Sequence, residues 1–155
     1  MRPDADALRR APMFEALSLA DREALALCFT GRRCAPGEIV FREGEPSASI
    51  FLVGEGSLMA VSRAGGLPRE VERYGPGRVI GETALVDHAP RSVTVSSAGH
   101  AVVYELAEEA VAALRRSAPA AAQALAGAAL RGLVGRLRQL EGRLDRELDR
   151  AGTKW

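Results

Sequence analysis

The sequence predicts a mainly β domain with flanking helices (α+β): an antiparallel, double-stranded jelly-roll-like β-roll, with N-terminal helices before it and a long C-terminal helix after it. Three observations carry this. Short alternating or β-branched runs fill residues 30–106, Gly- or Pro-containing breaks separate them at intervals of about eight to twelve residues, and the flanking segments place apolar residues at helical spacing. The chain has 155 residues, enough for one domain that buries roughly 70% of its unfolded surface and needs no disulfide or metal to hold it.

Residues 1–29 form the N-terminal helical part. Leu17, Leu19, Leu25 and Leu27 stand among charges, Pro12 can open a helix, and Ser18 and Asp21 are available as caps, so two short helices are expected over 12–29. Met1 to Arg10 alternates charge with Ala and Pro, where a signal peptide would be continuously apolar. In the β part, 30–106, the runs EIVFRE, SIFLVGEG, SLMAVSR, REVERY, SVTVSS and HAVVYEL read as strands. The segments APGE, EGEPS, GEG, AGG and GPG supply their turns. Residues 107–150 are rich in Ala, Leu and Arg and broken only by Pro119, which predicts a short helix and then a long one. Residues 151–155 are a tail whose Trp155 is expected to be disordered.

In the long helix Leu130, Leu133, Leu137, Leu140 and Leu144 recur at alternating spacings of three and four, the pattern of a coiled-coil seam. The stripe can pack on its own β-roll or against a second copy in a parallel homodimer. It begins where the roll has ended, which favours the dimer. Gly132, Gly135 and Gly142 each cost such a helix roughly 1 kcal/mol against Ala.

Net charge is +1, made of −4 over residues 1–110 and +5 over 111–155. Glu141, Asp145, Glu147 and Asp149 interleave the basic end, which reads as a solvated helix face rather than a nucleic-acid or membrane surface. No apolar run approaches the ~18 residues of a membrane span. Cys28 and Cys34 lack ligand spacing and read as small buried apolar residues of a reducing, cytoplasmic protein.

One connection breaks the strand rhythm. In RVIGETALVDHAPRSVTV, residues 78–95, a strand should end at Gly81, a helical turn should run through Glu82–Val86, and a loop with Pro90 should deliver Arg91 to the next strand. Backbone donors at the start of that turn, with Gly81 allowing close approach, make an anion cradle. Arg91 then offers a bidentate fork to a phosphate. A carboxylate beside a phosphate site is repulsive unless it does something else, and Glu82 can accept a hydrogen bond from a ribose hydroxyl. Ser92 adds a hydroxyl. An anion held by amides and Arg, with a diol read by Glu, points to a nucleotide.

These residues resemble the cyclic nucleotide-binding domain family of catabolite-activator-type regulators, protein kinase A regulatory subunits and cyclic-nucleotide-gated channels. The likeness rests on Ile80, Gly81, Glu82, Thr83, Ala84, Leu85, five loop residues, then Arg91, Ser92 and Val93, which match that family's phosphate-binding cassette (80–93). It extends through PGEIVFREGEPSASIFLVGEGSLMAV and covers roughly residues 12 to 145. The resemblance implies a regulatory module, not an enzyme, whose ligand is cAMP, with cGMP as the alternative. Arg91 would pair with the cyclic phosphate and Glu82 with the ribose 2′-hydroxyl. Amides near Thr83 and Ala84, with Ser92, would complete the phosphate shell, and Val71 would line the base pocket. The helices of residues 107–150 would close over the base, with Arg131, Arg136 and Arg138 as candidate caps. Val93 departs from the family's usual Ala and adds two methyls beside the phosphate. Only DRAGTKW follows Leu148, so no DNA-binding domain is expected after the long helix.

Other signals carry less. GPGRVIG is not GxGxxG and has no long helix after it, so it reads as a turn. His88 and His100 are the only histidines, too few for a metal-dependent cupin; His88 reads as an exposed loop residue and His100 as a turn residue. Asp87, His88 and Ser92 crowd one loop without a nucleophile elbow. The competing interpretation is a domain of this fold that has lost its ligand and serves as an oligomerisation or docking module.

Overall fold

Glycine and proline turns divide the middle of the chain into eight strands, and helix formers dominate on either side; the computed structural model describes residues 1–152. Helix α1 (Ala5–Arg9) is capped by Asp4, whose side chain accepts from the Ala7 amide at 2.6 Å. A 3₁₀ turn (Pro12–Phe14) follows, then α2 (Leu19–Cys28), whose cap Ser18 accepts from the Asp21 amide at 3.1 Å. The strands are β1 (Thr30–Cys34), β2 (Ile39–Phe41), β3 (Ser49–Glu55), β4 (Leu58–Ser62), β5 (Arg69–Tyr74), β6 (Val79–Ile80), β7 (Thr94–Ser97) and β8 (Ala101–Ala107). They make two antiparallel four-stranded sheets, ordered β1-β8-β3-β6 and β2-β7-β4-β5. Helices α3 (Glu108–Ser117) and α4 (Pro119–Arg150) complete the chain.

Two cores result. Phe41, Phe51, Val53, Leu58, Val95 and Val103 fill the space between the sheets. Leu8, Phe14, Leu25, Phe29, Leu114 and Leu125 pack the helices onto the outer face of the first sheet, through Ile50, Leu52 and Leu106. Strand β3 therefore buries both faces from Ile50 to Val53, which is why IFLV is continuously apolar where a half-solvated strand would alternate.

The expected order of helices, roll and helices is observed, with local corrections. Pro12 opens a 3₁₀ turn rather than a first α-helix, and Asp21 bonds to the cap Ser18 instead of capping. Helix α1 lies within the segment read only as charge alternation; its Asp4 cap and the burial of Leu8 stabilise it. Strand β1, TGRRC, lacks alternation because its pairing with β8 is a backbone matter on a sheet edge where only Cys34 is buried.

Helix α4 changes character midway. Ala121, Ala122, Leu125, Ala128 and Ala129 are buried, but no residue after Ala129 is. Leu130, Leu137, Leu140 and Leu144 are each more than half exposed, so the stripe does not cover its own roll. Cys34 is buried, Cys28 only half-buried, and both are free thiols. Trp155 lies outside the described residues.

Candidate functional site

Gly81 sets the geometry. It ends β6 in the left-handed region at φ 77°, and the 3₁₀ turn Glu82–Leu85 starts directly after it. A Cβ there would collide with the Arg91 guanidinium and press on the Ser49 carbonyl at 3.3 Å. Gly81→Ala is accordingly expected to cost about 1–2 kcal/mol for the backbone alone and to displace Arg91. Chemical denaturation and nucleotide titration of the variant check both effects.

Arg91 is only 7% exposed. The Gly44–Glu45 turn clamps its backbone: the Arg91 amide donates to the Glu45 carbonyl at 2.9 Å, and its own carbonyl accepts from the Gly44 amide at 2.8 Å. Its guanidinium lies over the Phe41 ring, 4.3 Å from the centroid, with Phe51 at 5.7 Å. Nη2 donates to the Ser49 carbonyl at 2.6 Å, whereas Nη1 is buried without a partner. Burial depresses the guanidinium pKa, against the opposing pull of Glu105 and Glu45.

Glu82 is also buried, at 8% exposure. Its Oε1 accepts from Arg136 Nη1 at 2.7 Å, and its Oε2 is buried without a partner. Arg136 reaches on to Glu72 at 3.4 Å, and Glu72 also pairs with Arg78 at 3.3 Å and accepts from the Tyr74 hydroxyl at 3.2 Å. Burial, reinforced by Glu72, pushes the Tyr74 phenol up to about 12, so it stays a donor. Burial opposes the charge on Arg136, but Glu82, Tyr74 and Glu72 outweigh it and raise its pKa.

A cavity of about 510 Å³ lies between α4 and the roll. Val71, Glu82, Arg131 and Arg136 line it. Arg91 stands behind Gly81, outside that lining. Thr83 and Ser92 are exposed, Ala84 is buried with its amide bonded to the Gly81 carbonyl at 3.0 Å, and Val93 packs against the core between the sheets. His88 is exposed, with Nε2 3.5 Å from Glu108, and His100 precedes β8. Of the three candidate caps, Arg136 alone bonds to Glu82. Sequence reasoning missed Glu72, Arg78 and the ring pair beneath Arg91; four charges within the six residues of REVERY were the available signal for Glu72.

The family model described as cyclic nucleotide-binding domain matches residues 31–118, which span both sheets and the whole Gly81–Arg91 segment. The chain belongs to the cyclic nucleotide-binding domain family. A cyclic AMP receptor protein of Thermus thermophilus is 30% identical over 140 residues, 89% of this chain and 62% of that protein. A cAMP-dependent protein kinase regulatory subunit of Mycosarcoma maydis is 34% identical over 88 residues, 57% of this chain and 17% of that protein. The chain thus spans less than two thirds of the length of these relatives. Among solved structures, the N-terminal domain of a transcriptional regulator from Streptomyces coelicolor superposes with a TM-score of 0.74 at 29% identity, covering 87% of this chain and 94% of that one. As in that family, the helices here flank a β-roll, and among the described residues no helix is long and apolar enough to cross a membrane.

Proposed function

We propose that this cyclic nucleotide-binding domain is a regulatory module and not an enzyme, taking a cyclic nucleotide between the Gly81–Arg91 cassette and α4. The ligand named for its relatives, cAMP, comes first, and cGMP is the alternative. One observation carries the reading: Arg91 keeps a buried, unpartnered Nη1 beneath Gly81, and such a donor costs stability unless an acceptor arrives. A cyclic phosphate at the turn, met by Arg91 and helped by the Thr83 amide and Ser92, supplies that acceptor. The free Oε2 of Glu82 accepts the ribose 2′-hydroxyl, and Val71 meets the base. Occupancy passes to α4 through Arg136, which holds the other oxygen of Glu82. The free thiols Cys28 and Cys34 suit a reducing cytoplasm.

Thermal unfolding tests this. Either nucleotide at about 100 times its dissociation constant should add roughly 2.7 kcal/mol, which moves the midpoint by about 5–10 °C for a chain of this size. No shift with cAMP or cGMP refutes the reading. A second reading, a ligand-free docking or oligomerisation module, draws on the Arg136–Glu82 pair, which occupies the carboxylate without ligand. A dimer that shifts with neither nucleotide would support it.

The exposed leucine stripe is assigned here to a homodimer. Leu137→Glu should then convert a dimer to a monomer in sedimentation velocity. In a monomeric protein the same exposed substitution would change stability by no more than about 0.5 kcal/mol.

A further inference from the structure

Beyond Ala129 the long helix α4 has no buried residue, so apolar packing contributes little to holding its outer half on the roll. Among the described residues, the side-chain hydrogen bonds and ion pairs that join this half to the roll all come from one guanidinium, that of Arg136. The half's other such contact, Arg150 with Glu147, stays within the helix. Arg136 reaches two carboxylates on different elements. Its Nη1 donates to Glu82 Oε1 at 2.7 Å, on the turn after β6, and its Nη2 to Glu72 Oε2 at 3.4 Å, on β5. Both glutamates and Arg136 line the cavity.

The two carboxylates are not equivalent. In the reading above, the free Oε2 of Glu82 accepts the ribose hydroxyl, so a ligand engages the same carboxylate that carries the shorter tether of α4. Glu82 must then serve two donors, one on the ligand and one on the helix. Glu72 has no such second duty. Its oxygens are held from the roll side of the cavity: Oε1 accepts from Arg78 Nη2 at 3.3 Å, and Oε2 from the hydroxyl of Tyr74, itself 4% exposed. Nor is Glu72 simply one more solvated charge of β5, a role that Glu70 and Arg73 fill by pairing with each other on exposed side chains. We propose that Glu72 is a positioning residue, which keeps Arg136 and the outer half of α4 against the cavity while the ribose engages Glu82. This rests on the cyclic-nucleotide reading, and adds to it the residue that lets Glu82 bind ligand without releasing the helix.

Calorimetric titration of the full chain tests it, with whichever of cAMP and cGMP binds the wild type more tightly, on wild type, Glu72→Gln, Arg136→Gln and the double variant. Glutamine keeps an acceptor for Tyr74 and removes the charge. The Arg136 and Glu72 side chains are each 40% exposed, so solvent screens the pair, and Glu72→Gln should weaken the nucleotide by about fivefold. In the Arg136→Gln background the same change should matter by less than about twofold. Glu72→Asp, which keeps the charge on a shorter side chain, should retain part of the lost affinity. Hydrogen exchange gives the second readout: in Glu72→Gln the nucleotide should still protect the cassette but protect the cavity-lining part of α4 less than in the wild type. An equal loss of affinity in both backgrounds would make Glu72 a structural residue of β5 and overturn the proposal. So would wild-type affinity and wild-type protection of α4 in Glu72→Gln. Arg91→Gln separates the two levels: if it weakens binding while Glu72→Gln behaves as the wild type, only the positioning role fails. If neither nucleotide binds the wild type, the cyclic-nucleotide reading fails and takes this inference with it.

Discussion

Arg91→Met is expected to abolish the nucleotide-dependent rise in unfolding temperature and, without ligand, to unfold within about 3 °C of the wild type. Both halves come from the same geometry. The guanidinium is 7% exposed, makes one short hydrogen bond to the Ser49 carbonyl, rests on Phe41 and leaves Nη1 unpartnered. Methionine gives up a cation–π contact of about 1–2 kcal/mol and a hydrogen bond to a charged group of about 1.5–3 kcal/mol. It also removes a buried charge without a counterion, and replacing buried ionic groups by apolar ones of similar volume is often neutral or stabilising by about 1–4 kcal/mol. The two sides nearly cancel, and Phe41 and Phe51 receive a thioether instead. The phosphate contact has no such compensation: a bidentate charged interaction is lost, with at least about a hundredfold in affinity. Thermal scans of both proteins, with and without cAMP or cGMP, read both quantities. A retained ligand shift would remove Arg91 from the phosphate site. A fall of ten degrees or so without ligand would mean that its role is structural.

What the sequence disclosed and what it withheld divide along contact range. Gly81, Glu82 and Arg91 were legible because one connection holds them within ten positions, where spacing alone sets geometry. Strands β3 and β8 were legible because apolar runs bounded by turns admit few alternatives. The edge strand β1 was not, since TGRRC is held by the backbone ladder to β8 and contributes one buried side chain. Nor was the choice among Arg131, Arg136 and Arg138, which look alike in the chain. Only folding sets Arg136 across 54 positions from Glu82 and 64 from Glu72. The leucine stripe was visible as a period, but its exposure depended on where the roll ends relative to α4.

Arg136 is where that long-range information becomes measurable. Arg136→Gln removes the partner of a carboxylate that is 8% exposed and whose second oxygen is already unpaired. Breaking a fully buried pair costs about 3–5 kcal/mol, but the Arg136 side chain is 40% exposed, so solvent screening reduces the expected loss to about 1–3 kcal/mol. Glu82→Gln in the same background should restore most of it, because the stranded charge is gone. The resulting double-mutant cycle in urea should show a coupling of about 1–2 kcal/mol. Additive effects would mean that the pair is incidental. The functional counterpart is sharper. If Glu82 joins the ribose to α4 through Arg136, cAMP should slow amide hydrogen exchange in the cavity-lining part of α4 in the wild type, and in Arg136→Gln it should protect the cassette alone. Equal protection of α4 in both proteins would place the coupling elsewhere, in direct contact between the base and the helix.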